Sequence, residues 1–197
     1  MARTPRLFVI SGPSGAGKGT LVSLVRERRH DLDLTVSATT RKPREGEIDG
    51  VSYHFISEEE FTRRVDAGEF LEWAHVHGHR YGTLKSEVDE RMARGHSVIL
   101  EIDIQGGMNV RKVYPDAVLL FIIPPSAEEL ERRLRGRGSE REEDIALRLE
   151  NAKREMAMKD SYDTIIINDS LDVTVGALEA AIDHYETSGG PEEHVSD

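Results

Sequence analysis

The chain contains no cysteine, so disulfides and thiolate metal sites are excluded. It also lacks any run of about 18 apolar residues, which leaves no segment to predict as a membrane span. Its first ten residues, MARTPRLFVI, have no long apolar stretch of the secretory kind, and residues 7–10 read as a first strand instead. The expected location is therefore cytoplasmic. An excess of positive charge is missing too. The formal net charge is −11, which argues against nucleic-acid binding by bulk electrostatics. No internal repeat occurs. What remains is a 197-residue chain, long enough for one substantial core with small insertions.

The arginines are unevenly placed. Arg41, Lys42 and Arg44 form one cluster, and Arg132, Arg133, Arg135, Arg137, Arg141 and Arg148 a second. An acidic chain that gathers arginine in two places is expected to handle small anions there. Arg132, Arg133 and Arg135 have a plainer reading open to them: pairing with Glu128, Glu129 and Glu131 on their own helix.

Apolar, β-branched runs at 7–10, 98–104, 118–123 and 164–167 lack clean alternation, as strands buried on both faces of a parallel sheet do. A further strand is expected at 35–38. Helical spacing marks 21–29, 84–94, 127–134, 142–159 and 171–185. Ser126 with Glu129, and Ser57 with Glu60, have the spacing of capping boxes. Alternating strands and helices predict a parallel α/β layer fold.

Two stretches break the rhythm. The first, about 39–85, has turns at Glu45–Gly46 and Asp49–Gly50, short aromatic strands near 53–55 and 70–73, and a helix from Ser57 to about Ala67. It predicts a compact α+β insertion. The second, RGRGSEREE over 135–143, is a glycine-punctuated basic loop suited to a lid. The tail from Thr187 is polar and predicted disordered. His75, His77 and His79 alternate along an expected strand. That spacing suits either a polar strand edge or a zinc site, and no carboxylate stands at ligand spacing.

The most telling segment is GPSGAGKGT: Gly12, Pro13, Ser14, Gly15, Ala16, Gly17, Lys18, Gly19 and Thr20. It follows the first strand and opens a helix. In that context backbone N–H groups and the helix dipole cradle a phosphate, and Lys18 adds a mobile cation. The position after the lysine, where a hydroxyl ordinarily ligates Mg²⁺, is Gly19, so the direct metal ligand is unknown.

The segment from Thr39, TTRKPREGEIDGVSYHF, supplies a second anion site. Arg41 and Arg44 stand three apart, and arginine forks grip phosphate bidentately. Tyr53 offers a phenolic donor. Glu47 and Glu72 are acceptor-only carboxylates that suit ring N–H and amino donors. A phosphate clamp beside a carboxylate fits a nucleoside monophosphate whose base presents donors, as guanine does.

With EFLEW, RYGT, EIDIQG and GRGSE added, these segments resemble guanylate kinase of the bacterial type over about residues 11–169. The resemblance implies a P-loop nucleoside monophosphate kinase fold: a parallel sheet flanked by helices, with an α+β GMP-binding insertion and a short lid. The implied division is a core of 1–38, 84–134 and 144–186, an insertion of 39–83, a lid of 135–143 and a tail of 187–197. It implies ATP + GMP = ADP + GDP with Mg²⁺, and dGMP as a further acceptor.

Residue by residue, the resemblance implies that Ser37, Arg41, Arg44, Tyr53 and Tyr81 hold the GMP phosphate. Glu72 accepts from guanine and Thr83 donates to its oxo group. Glu47 lines the pocket or orients the arginines. Asp103 faces the nucleotide. Lys18, Arg41, Arg137 and Arg148 are the catalytic cations, and Gly12 to Thr20 with Asn168 form the ATP side. Guanylate-kinase-like interaction modules, which have lost catalysis, are the rival reading. They typically lack the intact loop and lid arginines seen here. No nucleic-acid or membrane partner is expected, and the oligomeric state is left open.

Overall fold

The computed structural model describes residues 3–76, 78–136 and 142–188. Strand β1 (Leu7–Ser11) is buried along its whole length, and helix α1 (Lys18–Arg28) follows it through the glycine-rich turn. Strand β2 (Leu32–Leu34) comes next. The middle of the chain gives β3 (Ala38–Thr39), β4 (His54–Phe55), α2 (Glu58–Asp66), β5 (Phe70–Val76) and β6 (His79–Leu84). Helix α3 (Lys85–Ala93), β7 (Ser97–Glu101), α4 (Ile104–Val113), β8 (Val118–Ile123) and α5 (Ala127–Arg135) then alternate. Helix α6 (Glu142–Met156), β9 (Thr164–Ile167) and α7 (Leu171–Ser188) complete the described chain.

Two sheets result. The first is five-stranded in the order β2-β7-β1-β8-β9, and every pairing in it is parallel. Side chains alternate between its faces. Phe8 and Ile10 join Leu21, Val25, Leu178 and Ile182 under α1 and α7. Leu7 and Val9 join Val88, Ile104 and Val110 under α3 and α4. Both faces are covered, which is why the strands read as unbroken apolar runs. β1 lies at the centre, between β7 and β8. Its carboxyl end is the kind of sheet edge where ligands bind.

The second sheet, β4-β3-β6-β5, is mixed, with β3–β6 and β5–β6 antiparallel. Ala38, Phe61, Phe70 and Leu84 form a small core of its own, with Phe61 stacked on Phe70 at 4.4 Å. Ser57 caps α2 by accepting from the Glu60 N–H at 3.1 Å, and Ser126 caps α5 through Glu129 at 3.2 Å.

Several expectations are corrected. The strand expected at 35–38 is instead split: β2 ends at Leu34, and Ala38 begins β3 in the other sheet. The strand expected at 98–104 stops at Glu101, because Asp103 caps α4 through the Gly106 N–H at 2.7 Å. Residues 187–188, expected in the tail, continue α7. His75 ends up on β5 and His79 on β6, opposite each other's neighbours, so these two do not share one strand; His77 lies outside the described residues. Among the described residues no group of three or more His, Cys, Asp or Glu could hold a metal ion. No helix among them is long and apolar enough to cross a membrane.

At the opposite end of the sheet from the glycine loop, Arg29 is locked into a carboxylate network. It donates to Asp31, to Asp183 and to both oxygens of buried Glu186, which also accepts from the Ser97 hydroxyl. Arg29 is 8% exposed and Glu186 3%. Removing the arginine would strand a buried charge. Arg29→Ala is expected to cost about 3–5 kcal/mol and to lower Tm by roughly 10 °C in thermal denaturation, with nucleotide affinity in the folded protein unaltered.

Candidate active site

The glycine loop wraps the carboxyl end of β1. Gly12, Gly15 and Gly17 all have positive φ. Two of these positions are closed to a side chain by neighbouring atoms. A Cβ on Gly12 would lie 2.0 Å from the Ile122 carbonyl oxygen, and one on Gly17 would lie 2.5 Å from Asn168 Nδ2. Gly12→Ala is therefore expected to cost at least about 2 kcal/mol, measurable as a fall in the midpoint of urea unfolding. Lys18 Nζ donates to the carbonyl oxygens of Gly12 at 2.6 Å and Pro13 at 3.2 Å, which folds the cation back over the loop.

The loop is braced from behind. Asn168 sits just after β9, 2% exposed, and its Nδ2 donates to the Ala16 carbonyl at 2.7 Å. Arg133 donates through Nη2 to the Asn168 carbonyl at 2.8 Å and, more weakly, through Nη1 to the Ala16 carbonyl at 3.5 Å. Its Nε is held by Glu129 at 2.7 Å. The plainer pairing reading thus holds for Arg132, Arg133 and Arg135 on Glu129 and Glu131. Arg133 adds a contact to the loop that its helix spacing did not signal. Arg148, on α6, reaches Ser14 Oγ at 3.4 Å, so a second cation stands at the mouth of the loop. Arg137 lies outside the described residues.

The second candidate anion site gathers on the smaller sheet. Arg41 donates from Nη1 and Nη2 to both Glu47 oxygens, at 2.9 and 2.8 Å, and from Nε to the Tyr81 hydroxyl at 3.2 Å. Its guanidinium also lies 5.4 Å from the Tyr53 ring centroid. Glu47 further accepts from the Arg44 N–H at 2.7 Å. Arg41 foremost, and then the Arg44 N–H, hold the Glu47 carboxyl down at about 2. Ser37 and Tyr53 line a cavity of about 170 Å³ together with Glu101, at the end of β7, and Ile102 just beyond it. The cavity thus lies between segments that flank the two sheets.

Glu72 is placed by an irregularity in β5, where the register on β6 shifts between Phe70 and Glu72. Such a shift re-aims a side chain. Glu72 Oε1 accepts from the Thr83 N–H at 3.0 Å and the Thr83 hydroxyl at 2.8 Å. Thr83 is fully buried, and its hydroxyl proton is directed at Glu72. Glu72 Oε2 faces Gly106, where a Cβ would come within 3.4 Å of it and of Asp103 Oδ1. Burial pushes the Glu72 carboxyl above its ordinary range, with the Asp103 charge adding to the effect.

Sequence reading passed over Glu101. It ends β7, and its carboxylate would stand 3.5 Å from a Cβ on Gly19. Burial raises its pKa while the Lys18 charge pulls the other way. An acidic residue at the carboxyl end of a strand beside β1 was the available signal.

A strand–glycine loop–helix cradle, two flanking cations and a separate arginine clamp define a P-loop kinase acting on small phosphorylated substrates. The Guanylate kinase family profile matches residues 4–185. Guanylate kinase of Fusobacterium nucleatum is 51% identical over 178 residues, covering 90% of this chain and 96% of its own. That of Carboxydothermus hydrogenoformans is 52% identical over 176 residues, covering 89% and 86%. The crystal structure of guanylate kinase from Anaplasma phagocytophilum superposes with a TM-score of 0.73 at 29% identity, covering 94% of this chain and 88% of that one. The chain belongs to the guanylate kinase family.

Proposed function

We propose that the chain transfers the γ-phosphoryl group of ATP to GMP, giving ADP and GDP. The observation that carries this reading is the pairing of the glycine loop with the Arg41–Glu47–Tyr81 clamp in a chain about half identical to several bacterial guanylate kinases. In the reaction a GMP phosphate oxygen attacks the γ-phosphorus, the bond to the β-phosphate oxygen breaks, and that oxygen leaves on ADP with the electron pair. The acceptor is already an anion, so no strong base is needed. Positioning and charge neutralisation carry the catalysis.

The roles follow from the chemistry. Gly12 to Thr20 and Lys18 would cradle the ATP phosphates, with Asn168 supporting the loop. Arg41 and Arg44, with Ser37, Tyr53 and Tyr81, would hold the GMP phosphate. Glu72 would accept from the guanine ring N–H and amino group. Thr83 would fix Glu72, and can reach the oxo group only by turning its proton away from that carboxylate. Arg148 would stabilise charge between the nucleotides. The division into core, insertion 39–83 and lid 135–143 belongs to this reading.

Magnesium fits the donors present. Gly19 offers no hydroxyl, but Glu101 beside Lys18 and exposed Asp103 stand at the same sheet edge. Carboxylates at that edge suit a cation that keeps most of its waters. Bound there with ATP, Mg²⁺ would neutralise the β- and γ-phosphate oxygens.

The test is ADP release in a coupled assay with Mg·ATP and, in turn, GMP, dGMP, AMP, CMP and UMP. Turnover is expected with GMP and, second, dGMP. No turnover with GMP, or a preference for AMP, overturns the reading.

A further inference from the structure

On the α3–α4 face of the main sheet lies a buried phenol that the roles above do not use. Tyr162 is 6% exposed, in the turn that leads into β9. Its ring packs against Phe121 with centroids 4.7 Å apart. Its hydroxyl is buried and makes no hydrogen bond of regular geometry among the described residues, but it stands close enough to the Ser11 hydroxyl to interact with it. Burial raises its pKa to about 12, outweighing the downward pull of the Ser11 hydroxyl, so the phenol keeps a proton to donate.

The surroundings show where that donor points. A Cβ on Gly107 would lie 2.7 Å from the Tyr162 hydroxyl and 3.3 Å from Ser11 Oγ, so the phenol uses the space that Gly107 leaves beside Ser11. Ser11 Oγ directs its own proton to the Ile102 carbonyl at 3.0 Å, with the Asp103 carbonyl at 3.3 Å. Its lone pairs face outward from that bond. Ser11 is the last residue of β1 and precedes the glycine loop. Ile102 and Asp103 join β7 to α4, and Asp103 caps that helix. The Ser11 hydroxyl thus ties the strand that carries the phosphate loop to the turn that carries Asp103. Buried unpaired hydroxyls are costly and rare, and those that persist call for a reason.

We propose that Tyr162 is a positioning residue for phosphoryl transfer: its hydroxyl donates to Ser11 Oγ as the substrates bind and fixes the spacing between the glycine loop and the Asp103 turn. The assignment rests on the guanylate kinase reading above. It concerns a group that touches neither nucleotide.

Tyr162→Phe keeps the ring and its packing on Phe121 and removes only the hydroxyl. It is expected to lower kcat on the order of tenfold while the KM values for GMP and ATP stay within about twofold. Tm should hold or rise, since a buried unpaired polar group is lost. Ser11→Ala should lower kcat as well, and adding Tyr162→Phe to it should produce little further loss, because both act through one bond. Unchanged kcat in Tyr162→Phe overturns the proposal, as does a double variant whose losses simply multiply. Inactivity of the unaltered protein with GMP would instead overturn the underlying reading, so the two failures are distinguishable.

Discussion

Arg148→Ala is expected to lower kcat at saturating ATP and GMP by about a thousandfold, while the KM for GMP stays within about threefold. The guanidinium reaches Ser14 Oγ from α6, which puts it at the mouth of the loop and apart from the Arg41 clamp. Charge there matters most when the phosphoryl group is between its two partners, bound fully to neither. Lys18 lies deeper, folded on the Gly12 and Pro13 carbonyls, and cannot substitute from that position. Arg148→Lys should recover part of the loss, because a point charge replaces some of the field but not the fork. Steady-state kinetics with each substrate varied decides the matter. Equal losses in kcat and in GMP affinity would assign Arg148 to ground-state binding instead.

Glu72→Gln is expected to raise the KM for GMP by about a hundredfold, and to leave the ATP KM near its original value. Thr83 fixes one oxygen of the carboxylate with two donors, so a glutamine there keeps its oxygen on Thr83 and turns its amino group towards the pocket. Guanine would then meet a donor where its own donors need an acceptor. A pH dependence follows. The Glu72 carboxyl is raised by burial, and the proposed guanine contact requires its ionised form. As pH falls through that raised pKa, the protonated fraction grows and the KM for GMP should climb. Above it the KM should be flat. The acid-side climb should vanish in Glu72→Gln. A wild-type KM that stays flat as the pH is lowered to the acid limit of the fold would separate Glu72 from base recognition.

The glycine loop, the Arg41–Glu47 segment and the parallel layer fold were legible because each is local: a short run of residues fixes the turn, the clamp or the strand. Helix α4 was not. Its sequence, IQGGMNVRKV, contains two adjacent glycines and two valines, all weak helix formers. It forms because Asp103 caps it and Ile104 and Val110 bury against the sheet. The strand at 35–38 was misplaced for a related reason. Leu32–Leu34 is only three residues long with Asp33 in its middle, while the β-branched Thr35 and Val36 beyond it connect two sheets. Long-range relations were hidden altogether. The Thr83 bond to Glu72 depends on strand register, and the Arg133 contact to the loop spans 117 residues. Glu101 was overlooked because its significance comes from Gly19, a neighbour only in space.

Arg41 has five N–H groups, and its bonds to Glu47, Tyr81 and the Lys42 carbonyl occupy most of them within the protein. An arginine side chain carries about 2 kcal/mol of rotamer entropy. Here that entropy is surrendered when the chain folds, not when a phosphate lands. Glu47 also takes the Nη1–Nη2 edge of the fork, so the bidentate grip is used inside the protein and one Nη2 N–H is left over. A phosphate at this site would meet that single donor in a fixed direction. The ion pair carries no net charge of its own, so it would not draw small anions indiscriminately.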